Sequence, residues 1–216
     1  MSLGKFYASI SPRVDSARAL ITYYKLPVEI VNAREAEEFQ RDFPMKQVPA
    51  FMGSDGYKLT ETPAILYYLS GQLPEADRVR LQGSTLKERC QVQRWVSVAN
   101  SGSFTEAVVP LFSLKGFMPY DKKACEAHTE KLRQYAAYFD SELAGREYLA
   151  ADHFTLADLH CLIIWTMAFS ALFGTECRAN YPNLVAWFNR AIANPIAATV
   201  YADFKMTDKP LPEPAQ

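Results

Sequence analysis

The chain of 216 residues predicts a small α/β domain followed by an all-helical one. Three observations carry this. The first part of the chain, up to residue 75, alternates short strand-like runs with helix-like ones. From residue 86 onward strand patterns disappear and long helical periods replace them. Between them, residues 71–85 contain Gly71, Pro74, Asp77, Gly83 and Ser84, and no period survives. The expected organisation is a first domain over 1–75, a linker over 76–85, a helical domain over 86–205 and a proline-rich tail over 206–216.

Lys5 to Ile10 alternates as a short strand, with Phe6, Ala8 and Ile10 on one face and Tyr7 and Ser9 on the other. Ser11-Pro12-Arg13 breaks it. From Asp15 or Ser16 to Lys25, Ala17, Leu20, Ile21 and Tyr24 fall at helical spacing, and Pro27 to Val31 is a second strand. Two strands joined by a helix of this length predict a βαβ unit with parallel strands. Ala33 to Phe43 reads as a short, mostly polar helix ending at Pro44. Lys46-Gln47-Val48-Pro49-Ala50-Phe51-Met52 then predicts a strand opening at Pro49, whose missing N–H suits a first strand position. Val48 is held extended by the proline after it, which turns its N–H and C=O sideways. Gly53-Ser54-Asp55-Gly56 supplies a hairpin loop, and Tyr57 to Thr60 the returning strand. Thr62-Pro63 reads as N-cap and first residue of a helix reaching about Ser70. The order β-α-β-α-β-β-α suits a thioredoxin-like sheet.

In the second domain, Leu86 to Ala99 places Val92, Trp95, Val96 and Ala99 on one stripe. A helical pattern near Ser103–Leu114 meets Pro110, which is expected to bend or end it. Lys122 to Leu143 sets Leu132, Tyr135, Ala136, Phe139 and Leu143 on one face. Thr155 to Phe173 is apolar nearly all round, and at that length a membrane span is the rival reading. Asp158 and His160 favour a helix buried in a bundle instead. Pro182 to Ala193 is the last amphipathic helix, and Lys209 to Gln216 reads as an extended tail or linker.

A chain of this length buries on the order of 70% of its unfolded surface, so its core needs neither disulfide nor metal. Cys90, Cys125, Cys161 and Cys177 form no Cys-x-x-Cys pair and read as reduced thiols. His128, His153 and His160 have no partners at metal-ligand spacing, so no metal site is expected. The net charge of −1 gives no electrostatic case for direct nucleic-acid binding. Met1 to Lys5 lacks an apolar signal core, which makes the cytoplasm the expected compartment and the membrane an unexpected one.

An extended backbone at Val48 beside a helix start at Thr62-Pro63 suits a peptide-like ligand carrying a carboxylate. Val48-Pro49, a hairpin, then Glu61-Thr62 opening a helix resemble the glutathione site of the glutathione-transferase superfamily. Thr155-Leu156-Ala157-Asp158 is similar to that superfamily's cap on its buried core helix, where the acid at the third position reaches back. Within the superfamily, Arg41 to Phe51, Gly56 to Glu61, Arg94 to Ser101, Phe173 to Arg178, Trp187 to Asn189, Asp203 to Lys205 and Asp208-Lys209-Pro210 resemble the N-terminal domain of the elongation factor 1-gamma family. That resemblance runs over essentially the whole chain. The superfamily resemblance implies a cis Val48–Pro49 bond, a Val48 backbone paired with the cysteinyl unit of glutathione, and Glu61 and Thr62 on the γ-glutamyl group. Lys46 stands at the superfamily's contact to the glycyl carboxylate. Ser11 stands where the superfamily places the hydroxyl that stabilises the thiolate, and Arg13 is a candidate for a ligand carboxylate or thiol.

A thiol near pKa 8.5 is only ~3% ionised at pH 7, and lowering it to about 6.5 requires roughly 2.7 kcal/mol of thiolate stabilisation. A hydroxyl donor and a helix N-terminus together supply that much. The residue types keep alternatives open. Ser11 before Pro12 also suits a turn cap, Tyr7 a packed aromatic, Arg13 and Lys46 solvated cations, and Glu61 a turn support. Ser9 and Tyr7 are the other hydroxyls near the first strand's end. The resemblance therefore implies two compatible functions. One is an assembly module of the elongation factor 1 complex, with the complex's nucleotide-exchange subunit as partner. The other is a glutathione S-transferase that conjugates a glutathione-type thiol to electrophiles. A homodimer is implied in both, and no cofactor beyond the thiol co-substrate is expected.

Overall fold

A computed structural model describes residues 2–214; Met1 and the last two residues of the expected tail, Ala215 and Gln216, lie outside them. Strands β1 (Gly4–Ala8), β2 (Val28–Asn32), β3 (Ala50–Gly53) and β4 (Lys58–Thr60) form one sheet in the order β2-β1-β3-β4. β1 and β2 run parallel, with Phe6 beside Ile30, because helix α1 (Asp15–Tyr23) makes the crossover. β3 and β4 run antiparallel through a turn in which Gly56 takes φ +86°, a value that a side chain would strain. The period-2 pattern sorts the two faces. Phe6 and Phe51 are fully buried in the core shared with α1 and α3 (Thr62–Gly71). Tyr7 and Ala50 point the other way, where Tyr7 packs on Phe39 and Phe43 around α2 (Glu37–Asp42) at 5.4 and 5.6 Å.

Local boundaries differ from expectation where tertiary contacts decide. β3 opens at Ala50, one residue after Pro49, and α2 covers only the end of its polar stretch. α3 starts a residue early. Glu61, at φ 66°, is its N-cap, while the Thr62 hydroxyl, expected to cap, donates to the Arg13 carbonyl at 3.2 Å. Most of the stretch assigned to a linker is helix α4 (Glu75–Gln82). It is mostly polar and shows no stripe, and it is tied down from outside. The Gln82 amide donates to Ser70 Oγ at 2.8 Å and to the Tyr67 carbonyl at 3.2 Å, and Leu81 is buried.

The helical domain contains α5 (Leu86–Ser97), a π-helical turn at Val98–Ser103, α6 (Phe104–Leu114), α7 (Lys122–Glu142) and α8 (Leu156–Met167). A second π turn at Ala168–Leu172 follows, then α9 (Thr175–Arg178), α10 (Pro182–Ile192) and α11 (Pro195–Tyr201). Every residue of α8 is buried, and among the described residues no helix is long and apolar enough to cross a membrane. α6 runs through Pro110 instead of ending there. A helix-interior proline costs roughly 3 kcal/mol, and packing of α6 against α7 and α8, with Pro110 itself buried, offsets it.

The tail is extended but docked. Thr207 N–H donates to the Phe169 carbonyl at 2.8 Å and Leu211 N–H to that of Ala171 at 2.7 Å, which pins it along the second π turn. One buried cluster runs from Phe6 and Leu20 through Trp95 and Ile163 to Ala197, so both domains share a core.

Candidate functional site

At the seam of the two domains, the β3 entrance, the α3 start and the first π turn wall a groove of about 780 Å³. Six sequence-selected residues meet there: Arg13, Lys46, Val48, Pro49, Glu61 and Thr62. The Val48–Pro49 bond is cis. Among the described residues, neither the N–H nor the C=O of Val48 finds a hydrogen-bond partner, so both are available to an extended ligand backbone. At the start of α3, Ile65 N–H is bonded to Glu61 O and Pro63 has no N–H, which leaves the amides of Thr62 and Ala64 for an anion.

The charges in the groove are mostly uncommitted. Lys46 is exposed at φ 50°, Glu61 is exposed, and neither has an ion-pair partner among the described residues. Lys58 is different, since it pairs with Asp42 at 2.9 Å. Arg13 is half-buried, and burial lowers its pKa while Glu61 opposes that shift. The free set is two cations and one carboxylate, the mirror of a ligand with two carboxylates and one ammonium.

Ser11 is placed elsewhere. Its Oγ accepts from Arg13 N–H at 3.3 Å, as the N-cap of a 3₁₀ turn at Pro12–Val14. With Ser9, Ile10, Phe112 and Phe117 it lines a neighbouring cavity of about 680 Å³ rather than the groove. Tyr7 is buried on the far face of the sheet, and its hydroxyl faces Glu38 at 3.5 Å. His160, on α8, is buried with Nδ1 3.0 Å from Ser16 Oγ. Among the described residues no group of three or more potential metal ligands assembles.

Sequence reasoning missed Asn100, which lines the groove from the helical domain and holds the Arg13 guanidinium. Eighty-seven residues separate the two, so no local spacing signals the contact.

A mixed four-stranded sheet, a groove at its cis-proline strand and a second domain built on a capped, buried helix define a protein of the glutathione-transferase fold. The family described as Glutathione S-transferase, N-terminal domain matches residues 1–71, and Glutathione S-transferase, C-terminal domain matches residues 103–195. More narrowly, the chain belongs to the elongation factor 1-gamma family. It is 42% identical over 212 residues to "Elongation factor 1-gamma 2" of Saccharomyces cerevisiae, covering 98% of the chain and 52% of that relative. It is 32% identical over 197 residues to "Putative elongation factor 1 gamma homolog" of the same yeast, covering 88% of each. The crystal structure of the GST-like domain of elongation factor 1-gamma from Saccharomyces cerevisiae matches with a TM-score of 0.89 at 40% identity, over 100% of both chains. The chain thus spans about half the length of the first of these relatives.

Proposed function

We propose that this chain is a transferase-like assembly domain of the elongation factor 1 complex whose groove binds a glutathione-type thiol. Similarity to elongation factor 1-gamma over 98% of the chain carries the assembly reading. The nucleotide-exchange subunit of that complex is the expected partner, a homodimer the expected state and the cytoplasm the expected site of action. The thiol reading is supported by the groove's charges. Glutathione brings two carboxylates and one ammonium to Arg13, Lys46 and Glu61, and its cysteinyl amide suits the free backbone of Val48. Domain boundaries near residues 75 and 86, joined by α4, belong to the same reading.

A second reading, conjugation of that thiol to electrophiles, is favoured by the cavity beside Ser11. Its exposed apolar residues Ile10 and Phe117 suit an electrophile. In that reaction the sulfur projects from the groove toward the neighbouring cavity that Ser11 lines. The thiol loses its proton to solvent, the Ser11 hydroxyl donates to the thiolate, and sulfur bonds to the electrophilic carbon as the leaving group departs with its electron pair.

One preparation tests all three claims. Size-exclusion chromatography with purified exchange subunit should show a complex, and separate elution overturns the assembly reading. Calorimetric titration with glutathione should show binding that weakens roughly tenfold in Glu61→Ala, the loss of one charge-assisted contact. Unchanged affinity removes Glu61 from the site. A Ser11→Ala conjugation rate within about twofold of the parent removes Ser11 from the mechanism, since a lost charge-assisted bond costs more than that.

A further inference from the structure

Arg13 belongs to the loop after β1 and Asn100 to the π turn that opens the helical domain, yet the two meet on the inner wall of the groove. Asn100 Oδ1 accepts from Arg13 Nη1 at 2.6 Å, and the Asn100 carbonyl accepts from Nη2 at 3.4 Å. The buried ring of Phe104 lies against the guanidinium, its centroid 3.8 Å from Cζ. The Arg13 carbonyl is fixed from a third side by the Thr62 hydroxyl. A neutral amide and an aromatic face orient the cation and leave it without an ion-pair partner among the described residues. Of its five N–H donors, two go to Asn100, so three remain for a ligand. π turns place a residue out of helical register and are frequent at functional sites, and here the turn carries Asn100 to the seam.

What the cation meets follows from its neighbour. Glu61 lines the same groove and precedes Thr62, whose hydroxyl holds the Arg13 carbonyl, while Lys46 is a separate cation in the groove. A positive and a negative group in one part of the groove match the α-carboxylate and α-ammonium of an amino acid, which in glutathione is the γ-glutamyl end. We infer that Asn100 is a cross-domain positioning residue that presents Arg13 to the α-carboxylate of the γ-glutamyl unit. This rests on the thiol-binding reading and adds the end of the ligand that each domain recognises. A guanidinium held by Asn100 and Phe104, on a backbone fixed by Thr62, loses little freedom on binding, which is where preorganisation adds affinity.

The test compares glutathione with 4-aminobutyryl-cysteinyl-glycine, which keeps the amine and lacks only the α-carboxylate. The parent should bind glutathione about tenfold more tightly than the analogue, the typical effect of a charge-assisted contact. Arg13→Ala should erase that preference, lowering glutathione affinity about tenfold and leaving analogue affinity within about twofold. Asn100→Ala should act in the same direction by roughly threefold to tenfold, with a parent-like melting temperature. Asn100→Ser, polar but too short to reach, is the second variant should the alanine form unfold. A general structural role for Asn100 would weaken both ligands equally, and that result, or an unchanged preference, overturns the inference alone. A parent that binds neither ligand overturns the thiol reading and this inference with it.

Discussion

His160 and Asp15 flank the domain seam and respond to acid in opposite directions. Burial, and secondly the charge of Arg13, pushes the His160 imidazole down to about 3. The folded state therefore holds it neutral while an unfolded chain protonates it near 6.5, so its contribution to stability is lost progressively as pH falls from about 6.5 to about 3. Asp15 is raised to about 6, first by burial, with Arg18 and Tyr201 opposing. An acid raised in this way binds its proton more readily folded than unfolded, so it adds stability as pH falls from about 6 to about 4. Each slope is about 1.4 kcal/mol per pH unit, so the two nearly cancel between about pH 6 and 4. Asp15→Asn removes the compensation, and its thermal midpoint should fall more steeply than the parent's across that window; parallel curves would refute the pairing. Little of this was legible in the sequence. His160 counts there only as a sign of a buried helix, because its partner Ser16 lies 144 residues away, and its Nε2 has no partner among the described residues. Lys46 and Glu61 were legible because they flank the hairpin and helix start, which are local patterns, and Arg13 because it follows the break that ends the first strand. For Ser11 the sequence left a turn cap and a thiolate donor both open, and the fold uses it as the cap, its Oγ accepting from Arg13 N–H.

Among the elements, α8 shows how a local signal turns into a tertiary one. The Thr155–Asp158 capping box is present as its sequence predicts. Alone, such a cap contributes about 1 kcal/mol. In the fold Asp158 is a fully buried acceptor for Thr155 N–H and hydroxyl at 2.9 and 3.0 Å, Leu149 N–H at 2.9 Å and Trp187 Nε1 at 2.8 Å. Burial raises its pKa and these four donors oppose the shift. Asp158→Ala leaves several buried donors unmatched and should lower the unfolding free energy by about 3 kcal/mol or more, well beyond a cap. Thr155→Ser, which keeps the hydroxyl, should cost about 1 kcal/mol or less in the same urea titrations. A loss near 1 kcal/mol for Asp158→Ala would reduce the acid to a simple cap. The sequence showed the cap because its residues are three apart, whereas Leu149 and Trp187 join only through packing. α4 and the continuation of α6 through Pro110 escaped for the same reason: burial of Leu81 and of Pro110 outweighs local preference.

At the scale of the whole molecule, the α/β-then-helical division follows from the change in period, and the shared core follows from contacts that no period reports. α1 packs against both α11 and α8, so the first domain's crossover helix is also a wall of the second domain. The tail adds a further strap. Besides its bonds to Phe169 and Ala171, the Asp208 carbonyl accepts from Thr175 N–H at 3.0 Å, and Arg178 Nη1 donates to the Thr207 carbonyl at 2.6 Å. Gly174 permits this approach, because a Cβ there would stand 2.6 Å from the Asp208 oxygen. Removing residues 207–216 should lower the melting temperature by on the order of 5 °C, since 1 kcal/mol moves a domain of this size by ~2–4 °C. An unchanged calorimetric midpoint would make the strap incidental. The Gln82 clasp between α3 and α4 has a wider consequence. With the linker fastened to the first domain there and one core shared by both domains, swinging of the two bodies like jaws is opposed, which favours a slot of fixed gauge between them. Ligands would be sorted by whether they fit it on arrival, and swapping the clasp for a loose hinge should blur that sorting before it weakens the grip.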